Sequence, residues 1–342
     1  MAKVRKKARI VGRIFFIIGL MLSMTAGSMA ATLVQRGDSL VGLMNFDTEN
    51  SLSSVDLSKY ELASDTEIIN ILLVGADKNN DEQNAKGVER RSDSMMIATL
   101  DVKHGELKVT SLMRDMYVEI PGYSKNKLNA AYSYGGIKLL YKTIAQNFGI
   151  SMDGYMEVNF DAFVNVIDEI GGVEVTLTES EAEGLQTTNY IRRKKNRKKV
   201  KVGTQVFNGY QALGYCRIRH GKKQANGRMP GVYTASGKGD DYGRTERQRL
   251  VMQAIVKKAK TKSPMELLEL AEIIMPSIKT DLSKKDIYKY VLATAKMGTT
   301  ELNQFALPVE GSFTSETING QSCLVPDLDT NKSALKKFLF NS

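Results

Sequence analysis

The chain has 342 residues, 42% of them hydrophobic and 25% charged, which is long enough for a sizeable core and ordinary for a globular protein. Its net charge of +10 would fit a nucleic-acid partner, but the excess is local: residues 1–13 hold six basic residues and residues 192–201 hold eight, with no acid in either. The rest carries 34 basic against 38 acidic residues, so the fold as a whole is no polycation and no nucleic-acid partner is expected.

From Ile14 to Gln35 there are 22 consecutive uncharged residues, about the length that crosses a bilayer as a helix. The cations of residues 1–13 orient such a helix with its N-terminus in the cytoplasm. A cleaved signal peptide competes, since Ser28-Met29-Ala30 resembles a cleavage site, but either reading exports everything after about residue 36. The expected layout is a cytoplasmic tail (1–13), one membrane anchor (14–35), a polar extracellular stalk (36–66) and an extracellular domain (67–342).

From Thr66 the pattern becomes α/β. "EIINILLVGAD" reads as a buried strand, and "MMIATLDV" and "ELKVTSLM" as two more strands joined at "KHG". In "GGIKLLYKTIAQNFG", Ile137, Leu140, Tyr141, Ile144 and Phe148 recur at helical spacing. "YMEVNF" alternates as a strand, Phe163, Val166, Ile167 and Ile170 form a helical stripe closed by Gly171-Gly172, and "GVEVTLT" alternates again. Residues 179–243 read as loop-rich around "NGYQALGYCRIR". A long helix follows from Arg244, with Gln248, Val251 and Ile255 on its face, and two further helical segments and a strand-like tail come after Pro264. Strands interleaved with helices predict an α/β fold, a mixed central sheet flanked by helices on both faces behind one transmembrane helix.

The two strands near residues 95–113 carry the first chemistry. With a two- or three-residue turn ending at Gly105, a hairpin count brings Asp93 opposite Asp115 or diagonal to it. Two carboxylates there would repel unless cations intervene. Mg²⁺ suits the pair, because it binds one or two carboxylates and keeps waters and phosphate oxygens as its other ligands. Arg91 and Arg114 would stand beside it, where guanidinium forks can hold phosphate. Plain Arg-Asp ion pairs capping the hairpin are the competing reading.

Further along, "YCRIR" puts Arg217 and Arg219 on one face if the backbone is extended. Asp241 falls just before the expected helix, with Arg244 and Gln248 on its first turns, a place that favours oxyanions. His104 and His220 are the only histidines, and Cys216 and Cys323 the only cysteines. This argues against His-based zinc, a Ser-His-Asp triad and a disulfide framework, and leaves open whether the two cysteines pair.

Six stretches in this order, "NILLVGAD", "RRSDSMM", "SLMRDMYVEIPG", "KLNAAYSYGG", "NGYQALGYCRIR" and "DYGRTERQR", resemble the LytR-CpsA-Psr family. The likeness spans about residues 67–258, with 263–342 completing the same domain. Proteins of that family move anionic glycopolymers, such as wall teichoic acid or capsular polysaccharide, from an undecaprenyl diphosphate carrier to a peptidoglycan sugar hydroxyl. The resemblance therefore implies a membrane-bound transferase whose partners are the lipid-linked polymer, peptidoglycan and membrane lipid. It implies Asp93 and Asp115 as Mg²⁺ ligands, with Mn²⁺ the alternative ion. Arg91, Arg114, Asn129, Arg217, Arg219, Arg244 and Gln248 would lie around the diphosphate, and Arg91, Arg114 and Asp241 would act in catalysis. Met113, Ser94 and Leu128 depart from the usual Pro, Thr and Ile without removing a charge. A non-catalytic envelope protein that binds polyprenyl phosphates or polymer is the alternative, and a transcriptional attenuator a third. The basic run "RRKKNRKKVK" could grip an anionic polymer or lipid headgroups, or be a solvated loop.

Overall fold

The computed structural model describes residues 45–76, 92–259 and 301–341, together with 261–262, 266, 273, 278–283, 285–287, 289–290 and 293. The expected anchor at 14–35 and Arg91 lie outside these residues. Among the described residues no helix is long and apolar enough to cross a membrane.

In chain order the strands and helices are β1 (Asn45–Phe46), β2 (Ile68–Ala76), β3 (Ser92–Asp101), β4 (Glu106–Leu112), β5 (Tyr117–Val118), β6 (Asn126–Lys127), α1 (Leu128–Phe148), β7 (Gly154–Asn159), α2 (Phe160–Glu169), β8 (Val173–Leu177), α3 (Glu179–Thr187), α4 (Lys194–Arg197), β9 (Gly203–Phe207), α5 (Gly209–Arg217), α6 (Asp240–Ala259), β10 (Ile278–Thr280), β11 (Leu302–Leu307), β12 (Phe313–Ile318), β13 (Gln321–Pro326) and α7 (Leu328–Phe340). They form two compact units, one drawn from residues 45–159 and 278–341 and the other from 160–277.

The first unit is built on a seven-stranded sheet in the order β1-β10-β7-β2-β3-β4-β11. β2 pairs with β3 antiparallel and with β7 parallel, so the sheet is mixed as expected. Ile69 and Ile71 on one parity of β2, and Ile68, Leu72 and Val74 on the other, are at most 4% exposed. A central strand buried on both faces reads as a continuous apolar run, which is how "IINILLV" reads. α1 and α7 pack on each other and on β3. α1 starts seven residues before the expected Gly135, and Gly135 and Gly136 kink it.

Part of the expected stalk belongs to this unit. β1 pairs with β10 in parallel, and Ala63 bridges Ile150. Asp47, 8% exposed, takes hydrogen bonds from Tyr155 Oη and Asn50 Nδ2, both at 2.8 Å, and an ion pair from Lys279 at 2.7 Å. A segment with Ser- and Asp-rich composition was expected to be solvated; these polar groups instead find partners in the domain.

The second unit holds the β8-β9 hairpin, on which α5 and α6 pack, with α2 and α3 against α5. Val173, Val175 and Leu177 point inward while Glu174 and Thr176 point out, the alternation read from "GVEVTLT". Residues 179–243, expected to be loop-rich, contain three helices and a strand. Two of the helices start in capping boxes, Thr178 with Glu181 and Asn208 with Gln211. α5 approaches α2 so closely that a Cβ at Gly209 would collide with the Val164 carbonyl, and the Gly209 N–H donates to Asp168 at 2.7 Å.

Candidate active site

The hairpin that was to join the two aspartates has a different register. β3 and β4 pair from Asp101↔Glu106 to Met96↔Ser111, across a four-residue turn, Val102 to Gly105. The cause is Asp101, fully buried, whose carboxylate accepts from His104 N at 2.9 Å and from Lys108 Nζ at 2.7 Å and lies 2.8 Å from His104 Nδ1. Gly105 closes this turn with φ of 70°. Asp93 is therefore not the ladder partner of Asp115, and the pairing stops three residues short of it. Asp93 is described by its backbone in β3.

Asp115 is placed by other means. After β4, Met113 is fully buried and the Met116 N–H closes a tight turn on the Met113 carbonyl at 3.2 Å. Three hydrogen bonds from two segments clasp this turn: at the start of α1, Leu128 N donates to Met116 O at 2.8 Å and Asn129 N to Arg114 O at 3.3 Å, and in β13 Leu324 N donates to Asp115 O at 2.9 Å. Arg114 and Asp115 side chains stay 19% and 14% exposed. β5 and β6 pair Tyr117 with Lys127, and that brings Lys127 Nζ to Asp115 Oδ1 at 2.7 Å, while Arg114 Nε lies 3.5 Å from Oδ2. Asn129, 8% exposed, sits in the first turn of α1 beside them. Lys127 was missed in the sequence, because only a long-range strand pairing puts it there.

Two cations around one carboxylate leave this corner positive, which favours an incoming oxyanion. The carboxylate oxygens are hard donors of the kind Mg²⁺ takes. Among the described residues no three His, Cys, Asp or Glu side chains cluster. An ion on Asp115 would share that carboxylate with Lys127.

In the second unit the arginines converge on Asp241. α6 begins at Asp240, four residues earlier than expected, so Asp241 lies inside its first turn. Its carboxylate, 8% exposed, meets Arg244 Nη2 at 3.0 Å and Arg219 Nε at 3.6 Å. Gln248, one turn on from Arg244, donates to the Cys216 carbonyl at 3.4 Å. Arg217 does not share an extended face with Arg219: it ends α5, and its guanidinium lies 4.8 Å from the Phe160 ring centroid. Only Ile218, fully buried and extended, separates the two arginines.

Beneath them is a residue the sequence did not single out. Arg247, fully buried, pairs with Glu181 at 2.7 Å and donates to the carbonyls of Ile218 and Val232, both at 2.9 Å. Its bond to Ile218 fixes the backbone from which Arg217 and Arg219 project.

The basic run is anchored. Ile191 and Val200 are at most 1% exposed, Gln211 Nε2 donates to Asn196 O at 3.1 Å and Gln186 Nε2 to Val200 O at 2.8 Å, and Arg197, half-buried, donates to Thr188 O at 2.8 Å, while the other lysines and arginines of the run are exposed. Cys216 and Cys323 are both buried and free, so they do not pair.

The LytR_cpsA_psr family model matches residues 41–338. Regulatory protein MsrR of Staphylococcus aureus is 31% identical over 275 residues, 79% of this chain and 74% of that protein. Polyisoprenyl-teichoic acid--peptidoglycan teichoic acid transferase TagU of Bacillus cereus is 32% identical over 230 residues, 67% of this chain and 65% of its own length. Among solved structures, TagT bound to LIIa-WTA matches with a TM-score of 0.60 at 26% identity, covering 82% of this chain and 92% of the other. The mixed sheet, the six motifs and a family match from residue 41 to residue 338 agree: the chain belongs to the LytR-CpsA-Psr family.

Proposed function

We propose that the protein is a phosphotransferase that moves an anionic glycopolymer, of the wall teichoic acid or capsular polysaccharide type, from an undecaprenyl diphosphate carrier to a peptidoglycan sugar hydroxyl. The likeness to TagU, whose name states such a transfer, and to TagT bound to LIIa-WTA supports this reading. The observation that carries it is the Arg219–Asp241–Arg244 array, in which one buried carboxylate orients two guanidiniums at the start of a helix. Phosphoryl transfer depends chiefly on positioning and charge stabilisation, and such an array supplies both.

In this reaction the acceptor hydroxyl oxygen bonds to the phosphorus that carries the glycan. The bridging P–O bond breaks, undecaprenyl phosphate leaves with the bond's electron pair, and the proton lost by the acceptor hydroxyl ends on that departing phosphate or in water. Arg217, Arg219 and Arg244 donate to the diphosphate oxygens, with Gln248 and Asn129 as neutral donors. Arg114 and Lys127 meet the charge that develops on the carbohydrate-bearing phosphate. Asp241, with a guanidinium on each oxygen, serves to hold them in place. Mg²⁺, or Mn²⁺ in its stead, would be held by Asp93 and Asp115 and would supply further charge neutralisation when bound. Arg91 and Asp93 enter on the family's motif alone. The 14–35 segment would anchor the protein in the cell membrane with its catalytic domain outside.

The test is transfer in vitro from a lipid-linked polymer to peptidoglycan. Arg219→Ala is expected to cost about 100-fold or more in kcat/KM, the scale of losing a preorganised charge donor. Full transfer by that variant would remove the array from the mechanism.

One observation favours a second reading. MsrR is named a regulatory protein, which fits an envelope protein that binds polyprenyl diphosphates without turnover. Binding without release of undecaprenyl phosphate, across several donors and acceptors, would favour it. Transcriptional attenuation needs a cytoplasmic domain, and protease accessibility of residues 36–342 on intact cells tests that directly.

A further inference from the structure

In the unit that carries Asp115, a cleft of about 570 Å³ at the later turns of α1 is lined by residues that no reaction step uses. Its lining includes Lys59, Lys125 and Lys142, against one acid, Glu119, and includes the ring of Tyr123. Glu119 is already engaged, by Lys125 at 3.3 Å and by Gln146 at 3.1 Å. Asp56 acts on Lys59 and Lys142 from outside the lining. Three lysines thus face two carboxylates, and the cleft keeps a modest positive excess centred on Lys59 and Lys142.

At its rim Tyr123 stacks on Tyr134, ring centroids 4.8 Å apart, and the two are 54% and 36% exposed. Tyrosine joins an apolar ring face to a polar tip and is enriched where surfaces bind partners. The pair is also braced: Asn126 Nδ2 donates to Tyr134 Oη at 2.7 Å. Asn126 is the neighbour of Lys127, the cation on Asp115, so one two-residue strand links platform and corner.

An aromatic platform takes the apolar face of a sugar ring, and lysines at its side take anionic groups carried by that sugar or its neighbour. We infer that this cleft binds a stretch of a phosphate-bearing glycan, the polymer of the donor, beyond the sugar nearest the diphosphate. The assignment rests on the transferase reading for the identity of that polymer. It is carried by the aromatic pair together with the lysines: a neutral glycan would use the tyrosines and leave the lysines idle.

The experiment uses the full-length protein in detergent micelles with three probes: carrier-free wall teichoic acid, an uncharged oligomer of N-acetylglucosamine, and a lipid diphosphate bearing a single disaccharide. Calorimetry should show teichoic acid binding that weakens about fivefold or more in Tyr123→Ala and in Lys142→Glu, and weakens with added salt. Tyr123→Phe should bind as the wild type does. Release of undecaprenyl phosphate from the disaccharide lipid should be unchanged in Tyr123→Ala, which also shows that the variant is folded. Teichoic acid affinity unaltered by both substitutions would overturn the inference, and so would equal, salt-independent binding of the uncharged oligomer. If no variant and no wild-type sample turns over any lipid, yet teichoic acid binding falls in both variants, the transferase reading fails and the cleft stands.

Discussion

Lys127 Nζ lies 2.7 Å from Asp115 Oδ1, with the two side chains 17% and 14% exposed. The pair joins residues twelve apart through the short β5-β6 ladder and decides how the corner is charged. A lysine on the carboxylate competes with any metal that would bind there. Lys127→Met should therefore let Asp115 take Mn²⁺ about tenfold more tightly, read by electron paramagnetic resonance of the free ion. In the same variant, transfer should fall about tenfold through loss of a cation near the phosphate. Unchanged ion affinity would separate Lys127 from the metal site.

Arg247 and Glu181 are both at most 1% exposed. Glu181→Gln or Arg247→Met leaves one buried charge without its partner, and each is expected to cost about 3–5 kcal/mol in unfolding free energy. The urea midpoint measures this. Because Arg247 also holds the Ile218 carbonyl between Arg217 and Arg219, a milder variant, Arg247→Lys, should raise KM for the lipid diphosphate more than it lowers stability.

Burial pushes the Asp47 carboxyl upward, but hydrogen bonds from Lys279, Asn50 and Tyr155 outweigh it and bring the pKa from 3.8 to about 2. The folded value lies below the unfolded one. Asp47 thus contributes stability in full above about pH 5, and that contribution is lost as the pH falls from about 4 toward 2. The difference amounts to about 2 kcal/mol at pH 7. Asp47→Asn should lower stability by that amount at neutral pH and by much less at pH 2, as followed by thermal melts. For the same reason a fragment that begins at residue 67 should be less stable than one that begins at residue 45.

Burial pushes the Cys216 thiol up to about 12. At pH 8 it stays protonated, and only thiolate reacts quickly with alkylating agents. Iodoacetamide should leave Cys216 unmodified in the native protein and label it in urea, by mass spectrometry. Rapid native labelling would show that the end of α5 opens.

The parts of the fold that were legible in the sequence are those fixed by local pattern. The apolar run of β2 and the alternation of β8 describe how those strands are buried, while of the arginines in "YCRIR" and "DYGRTERQR" Arg219 and Arg244 meet Asp241, and Arg217 and Arg247 turn to Phe160 and Glu181. The hairpin register was not legible, because a buried side chain, Asp101, sets the turn length through bonds to His104 and Lys108. The Asn208-to-Gln211 capping box is a local signal for α5, and the helix it starts runs on through Arg217, which rules out an extended "YCRIR". Lys127 and Arg247 lie inside the quoted stretches "KLNAAYSYGG" and "DYGRTERQR", but nothing local in them names a partner. A half-buried lysine and a fully buried arginine look like surface charges until the chain folds, and their partners come from distant segments. The segment at 45–66 misled through composition, since polar residues that find partners read like polar residues that find water.

The central claim is that the two arginines held by Asp241 serve a phosphoryl transfer. The most direct measurement is release of undecaprenyl phosphate by the purified full-length protein given lipid-linked polymer and peptidoglycan, compared across Arg219→Ala, Arg244→Ala and the double variant. Each single variant should lose about 100-fold or more, and the double variant should lose little beyond the worse single, as groups acting in one step do. Full release by Arg219→Ala, or losses that simply multiply in the double variant, would contradict the account.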